Sequence, residues 1–408
     1  MKLSRSNREQ ASVLLVTMIF VMTLGVILYS YLALVQNSQL GVARAQTWNA
    51  ALPIAEAGIE EGLACLNSGG SFSTLSHSLN GGNYQVKYFG GSSPCLISTG
   101  VVTAPVGGQS VSRTVKVVIS KQGLFTKGLV ALNDIRMNGN SIASDSWNSE
   151  DPTESDNGLY NGYSGTNGDI ASVYGFVNIG NQTIRGSLYL GPTASYDGSG
   201  TITGTIYTDA NLQYPDAALP TADTNGNAVV WTPAPTTTTG TGKGKSANSF
   251  HDFTTGGYYT ISDSYPVVVE PGVNVTLDIQ PSNWNPTSLT INGGTSNSGN
   301  VVLYVESGSL TMAGNSSGGA AASRPKNLFI FGLPGVTSIT FSGTSTFVGV
   351  IYAPEASMTL NGGGNNNNLI GAAVVNSATM NGHYKFHYDT SLSQYYYSGF
   401  IVSSWEEL

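Results

Sequence analysis

From Ala11 to Val35 the chain carries 25 consecutive residues without a charge, ASVLLVTMIFVMTLGVILYSYLALV. As a helix this run would measure about 37 Å, more than the roughly 30 Å hydrocarbon core of a bilayer, so it predicts a membrane-spanning helix. Lys2, Arg5 and Arg8 precede it and only Arg44 follows closely. That bias places residues 1–10 in the cytoplasm and the remainder outside. Two readings compete: a secretory signal cleaved near Ala43-Arg44-Ala45, and a buried core helix. A cleaved signal has an apolar region of about 7 to 15 residues with its cleavage site close behind. The run here is longer and the site too far downstream, so a retained anchor is expected.

The composition of the rest excludes some classes of function. Lys and Arg number 16 against 24 Asp and Glu, a net of -8, so no basic field exists to displace counterions from a nucleic-acid backbone. Charged residues make up only 10% while there are 51 glycines and 21 tyrosines, a turn-rich, mainly β composition with enough apolar residues for a core. Cys65 and Cys95 are too few for a four-ligand zinc site and lack C-x-x-C spacing. They are expected to pair, closing a loop worth roughly 3 to 4 kcal/mol, with two separately buried thiols as the alternative.

Beyond the apolar run the helical period continues through Trp48, Leu52, Ala55, Ile59, Leu63 and Leu66, while Glu56, Glu60 and Glu61 fall on other faces. Pro53 lacks an N–H and is expected to kink or interrupt this helix, and Gly69-Gly70 to end it. The basic leader, the long apolar helix and the run A-E-A-G-I-E-E-G-L from Ala55 to Leu63 resemble the N-terminal region of type IV pilin-like proteins, specifically the PilX-like minor pilins, over about residues 5 to 67. The resemblance implies insertion in the bacterial inner membrane and packing of the apolar helices in a filament core. Pilins usually carry Gly before the cleaved bond and Glu five residues after it; here Ala11 is the nearest small residue and Val16 stands five further on.

Residues 84–119 read as a small antiparallel sheet, with alternation in Tyr84 to Tyr88, a Gly-Gly-Ser-Ser-Pro turn, then Leu96 to Val102 and Val111 to Ile119. Further on, a small repeat recurs as Thr201 to Gly204, Leu310 to Gly314, Ile339 to Gly343, Met358 to Gly362 and Ala378 to Gly382. Its glycines are spaced like the coils of a parallel solenoid, and an apolar strand precedes each of the last four copies. A β-sandwich is the rival. The run Gly349 to Pro354, the Thr-Leu-Asn-Gly copies and the closing Phe386-His-Tyr-Asp389 resemble an uncharacterised bacterial β-solenoid domain, ending in F-H-Y-D and found behind PilX-like anchors.

The expected fold class is therefore mainly β: an N-terminal membrane-spanning α-helix, a small antiparallel sheet, then a parallel β-helix-like solenoid. The expected domains are a leader (1–10), the anchor and pilin-like helix (11–67), the sheet (68–122), a first solenoid part (123–231), a low-complexity loop (232–250), a second solenoid part (251–390) and an aromatic C-terminal cap (391–408).

Few residues point to chemistry. His383, Lys385, His387 and Asp389 share one strand face, where a polar ladder is favoured over a metal site because Lys385 would repel a cation. Asp145, Glu150, Asp151, Glu154 and Asp156 form an acidic loop without a calcium-loop frame, and Asp223 to Asn227 has its Gly misplaced for one. No H-E-x-x-H, G-x-S-x-G or phosphate-cradling motif occurs. The expectation is a non-enzymatic, membrane-anchored, pilus-associated structural or adhesive protein with no cofactor. Its expected partners are the bacterial inner membrane, other pilins or their assembly machinery, and surface glycans, with no nucleic acid. The alternatives are a stationary envelope solenoid that binds glycans or polymerises, and a polysaccharide-acting β-helix enzyme with two carboxylates converging in a groove.

Overall fold

The structure, a computed structural model, describes residues 5–67, 70–79, 81–104, 108–138, 143–210, 212–223, 225–239, 248–286, 288–292, 299–313, 324–343, 346–362, 367–382 and 384–408. Two compact units emerge, Met1–Gln122 with Tyr397–Leu408, and Gly123–Tyr396. The second is thus inserted in the sequence of the first.

In the first unit, helix α1 runs unbroken over Arg5–Asn67. Behind it, β1 (Thr74–Leu79), β2 (Gly82–Phe89), β3 (Cys95–Thr103) and β4 (Ser110–Gly123) pair antiparallel in chain order, and the C-terminal strand Tyr396–Glu407 adds to β4. Its direction is antiparallel too: Leu408 N–H bonds Thr114 O, and Ser403 Oγ bonds Val118 O further back. The expected C-terminal cap over the solenoid is therefore corrected for these residues, which complete the small sheet instead. Phe400 explains why, because it packs on the cluster of Ala55, Ile59, Leu96, Val115 and Val117 that joins α1 to the sheet.

The contact of α1 with the sheet runs along small residues. A side chain at Gly100 would place its Cβ 2.5 Å from Ala51 O and from Ala55 N, and one at Gly58 would lie 2.3 Å from Ser98 Oγ. Close approach of helix to strand leaves no room for bulk on that line, so Trp48, expected on the buried stripe, lies 50% exposed beside it. Its ring sits 5.1 Å from the Arg113 guanidinium. Pro53 does not interrupt α1 as expected, since Ala51, Ile54 and Ala55 are buried on either side of it and packing outweighs one lost backbone hydrogen bond. The helix ends at Asn67, and Gly70 N–H returns to Cys65 O at 2.9 Å.

The second unit is a parallel β-helix-like solenoid. Its first coil comprises Leu129–Ala131, Ile135–Met137 and Ala143–Trp147, and the next comprises Ile170–Ser172, Phe176–Asn178 and Thr183–Ile184, each strand parallel to its counterpart one coil back. The later coils do not continue from there. On one face the rungs run Gly257–Ile261, Val275–Ile279, 301–305, 328–332, 350–352 and 372–375, and this last rung pairs with Leu129–Ala131 of the first coil. The stack then goes on through Ile170–Ser172, Leu188–Leu190 and Ile206–Tyr207. The chain accordingly enters and leaves in mid-stack, where Leu124 N–H bonds Tyr395 O at 3.0 Å.

Described residues 208–210, 212–223 and 225–231 lie on the return between the two ends, which are ten rung steps or about 48 Å apart. Tyr352 Oη donates to Pro215 O at 2.5 Å along the way. The low-complexity stretch after it is only partly a loop: Thr232–Pro233 pairs with Gly257–Ile261, and Thr237–Thr239 pairs antiparallel with Asn248–Phe253, while 240–247 lie outside the described residues. Its β-branched threonines suit an edge strand.

The small repeat stacks rung on rung. Leu310, Ile339, Met358, Ala378 and Ile135 form one buried column, with Met312, Phe341, Leu360, Met380 and Met137 as another. Between them Thr311, Thr340, Thr359 and Thr379 form an outward ladder. At the corner, Asn381 Nδ2 donates to Asn361 Oδ1 at 2.8 Å and Asn138 Nδ2 to Asn381 Oδ1 at 3.2 Å. Gly314, one of the spaced glycines, lies outside the described residues.

Candidate functional site

Among the described residues, the N-terminal part of α1 leaves a long apolar surface uncovered. From Val13 to Leu34 the apolar side chains are exposed, with an 18-residue window of mean hydropathy 2.4 and none of it buried. By length and composition this helix can cross a membrane. Its hydroxyls suit that setting: Thr17 Oγ1 donates to Leu14 O at 2.9 Å, Thr23 Oγ1 to Phe20 O at 2.8 Å and Ser30 Oγ to Val26 O at 2.8 Å. These three hydroxyl hydrogens are satisfied within the helix.

The other part of α1 is tied to the sheet by side chains that the periodic reading did not single out. Tyr84 Oη donates to Glu61 Oε2 at 2.7 Å and His77 Nδ1 lies 2.6 Å from Glu61 Oε1. These bonds, Tyr84 first, hold the Glu61 carboxyl below the usual range, while burial and then Glu61 push the Tyr84 phenol up to about 12. Arg113 on β4 forms a two-pronged pair with Glu407 of the C-terminal strand, both bonds 2.5 Å. The sequence signal for this docking was Gly58 and Gly62, four apart on one helix face.

Cys65 lies in the last turn of α1 and Cys95 opens β3, and no bridge joins them among the described residues. The pleat supplies the reason. Leu96, Ser98 and Gly100 are buried towards α1, so alternation turns Cys95 to the other face.

In the solenoid the structure merges two sequence candidates. His387 Nδ1 lies 2.5 Å from Asp145 Oδ1 and its Nε2 3.2 Å from Asn368 Oδ1, with Tyr160 stacked on the imidazole at 4.1 Å. This pair links the last coil to the first. Asp389 accepts from Ser149 N–H at 3.0 Å and Ser391 N–H at 3.1 Å, its carboxyl raised by burial against the lowering effect of those bonds. Lys385 is exposed, so the expected common polar face is divided, and His383 lies outside the described residues.

The acidic loop disperses. Asp145 goes to His387, Glu150 pairs with Lys326 and Arg324, and Asp151 accepts from Thr153. Glu154 acts on the Tyr163 phenol, and Asp156 accepts from Asn157. Asp223 closes a turn through Asn225 and Asn227. Among the described residues no three His, Cys, Asp or Glu side chains converge as a metal site.

Residues 267–395 match a family described as a domain of unknown function, DUF7305. No curated protein matches. Among solved structures, a crystal structure of the competence-associated pilin ComZ from Thermus thermophilus aligns over 89% of this chain and 98% of its own, at 13% identity and a TM-score of 0.28. A likeness of this size is too slight to carry fold or function.

Proposed function

We propose that this chain is a membrane-anchored, exported, non-enzymatic protein of the type IV minor pilin kind, with a PilX-like N-terminal region, that holds a solenoid outside the inner membrane. The observation that carries the reading is α1 itself. One continuous helix, Arg5–Asn67, offers exposed apolar surface around its first half and docks its second half on an antiparallel sheet. A helix built for two solvents serves first as an anchor in lipid and then as a packing surface among like helices.

The solenoid supports a structural or adhesive role. Its buried columns repeat while its polar groups are spent on ladders and on the seam between last and first coils. Among the described residues Asp278 and Glu306 are carboxylates that interact, and Asp278 is only 4% exposed, a poor place for a polysaccharide chain to reach.

Shearing cells that express the protein natively, and probing the filament and membrane fractions for the solenoid, tests the reading. Recovery in filaments that vanish when pilus assembly is disabled is the expected result. Strict retention in membranes overturns the pilin role and leaves a stationary surface module.

A further inference from the structure

We infer that Asp278 and Glu306 hold one proton between them and form a pH-sensitive joint between two rungs of the solenoid. In Val275–Ile279 the side chains of Val275, Leu277 and Ile279 enter the core, so Asp278 points outward, in register with Thr260 on one neighbouring rung and Tyr304 on the other. Glu306 follows Tyr304 by two residues on the same neighbouring rung, at an irregularity between Val305 and Ser307, and its carboxyl interacts with Asp278. Asp278 is nevertheless covered, at 4% exposure.

Its two oxygens are unequally served. Oδ2 accepts from Gln280 Nε2 at 3.3 Å, whereas Oδ1 is buried without a donor, and the Glu306 carboxyl stands against Asp278. Two ionised carboxylates are both acceptors and cannot satisfy each other; one proton turns the contact into a hydrogen bond. Burial first, and then the Glu306 charge, raise the Asp278 carboxyl to about 6. The titratable groups presented by the neighbouring rungs are Tyr258 on one side and Tyr304 with Glu306 on the other. Tyr304, itself pushed up to about 12 by burial, is neutral throughout the range in question.

The sign follows from linkage. The folded chain keeps this proton where the unfolded chain has released it, so the contribution is complete below the ordinary carboxyl range and is lost as pH rises through about 6. The joint is tight in acid and strained by like charges above neutrality.

The test compares thermal unfolding of the full-length protein in detergent at pH 5 and pH 8 for wild type, Asp278→Asn and Glu306→Gln. An Asn amide donates to Glu306 at any pH, so Asp278→Asn should unfold about 2 to 6 °C above wild type at pH 8 and lose most of the difference between the two pH values. Infrared titration of the wild type should show a protonated carboxyl that disappears near pH 6 and is missing in Asp278→Asn. If that variant does not fold, the same band should titrate at lower pH in Glu306→Gln. An unchanged pH dependence in Asp278→Asn, or an unshifted band in Glu306→Gln, overturns the inference. So does a calcium-induced rise in wild-type melting temperature at pH 8 that either substitution abolishes, because the pair would then hold a metal ion.

Discussion

Gly382 closes the last copy of the small repeat with φ at +81°, and a Cβ there would lie 1.9 Å from Gly362 O on the rung below. Conformation and space both exclude a side chain, which gives a physical reason for a glycine at the end of this copy. Gly382→Ala should therefore cost on the order of 1 to 3 kcal/mol, read as a lowered unfolding midpoint of the solenoid. At the same scale Asp389, last residue of F-H-Y-D, gathers the Ser149 and Ser391 N–H groups where the chain leaves its last coil. The motif is thus a closing device, and nothing in its spacing alone revealed that His387 would meet Asp145, 242 positions away.

At the scale of elements, α1 and the C-terminal strand depend on each other. Asn67 exchanges two hydrogen bonds with the Phe400 backbone, and Glu407 is held below the usual carboxyl range by Arg113. A lowered carboxyl contributes at neutral pH and loses that contribution as pH falls through its folded value. Glu407 is about one-third exposed and Arg113 12% exposed, so salt reaches the pair and should weaken it in part. The protection of residues 403–408 against hydrogen exchange, referred to the intrinsic rate at each pH, should accordingly fall in acid or high salt, and Arg113→Ala should remove that dependence. An unaltered profile in the variant would mean that Phe400 packing alone retains the strand.

At the scale of the molecule, the solenoid begins and ends in mid-stack, so its two chain ends lie within one hydrogen bond of each other. Residues 123–396 expressed alone should fold with a cooperative transition, and joining Gln122 to Tyr397 through a short Gly linker should leave a folded five-stranded sheet on α1. Circular dichroism and thermal melts of both products check this; a molten solenoid product would show that its closure needs the first unit. The stack's two ends also differ. Thr232–Pro233 edges one end, where Pro233 has no N–H to offer a further strand, while Ile206–Tyr207 edges the other.

The apolar helix, the meander and the stacking copies were legible because each rests on a local period: 3.6 residues, two residues, or one coil. The amino-acid sequence by itself determined that this chain has an apolar helix long enough for a bilayer, a small antiparallel sheet and coils that share core columns. Only tertiary structure decided that Tyr396–Glu407 would join the small sheet, that Trp48 would lie outside the helix seam, that Cys95 would face away from α1, and that the last coil would close on the first. Those outcomes depend on which surfaces fit when distant segments meet. A strand edge accepts any partner of matching register, and the partner is chosen by burial of Phe400, the space left by Gly100 and the pairing of His387 with Asp145, none of which has a period to read.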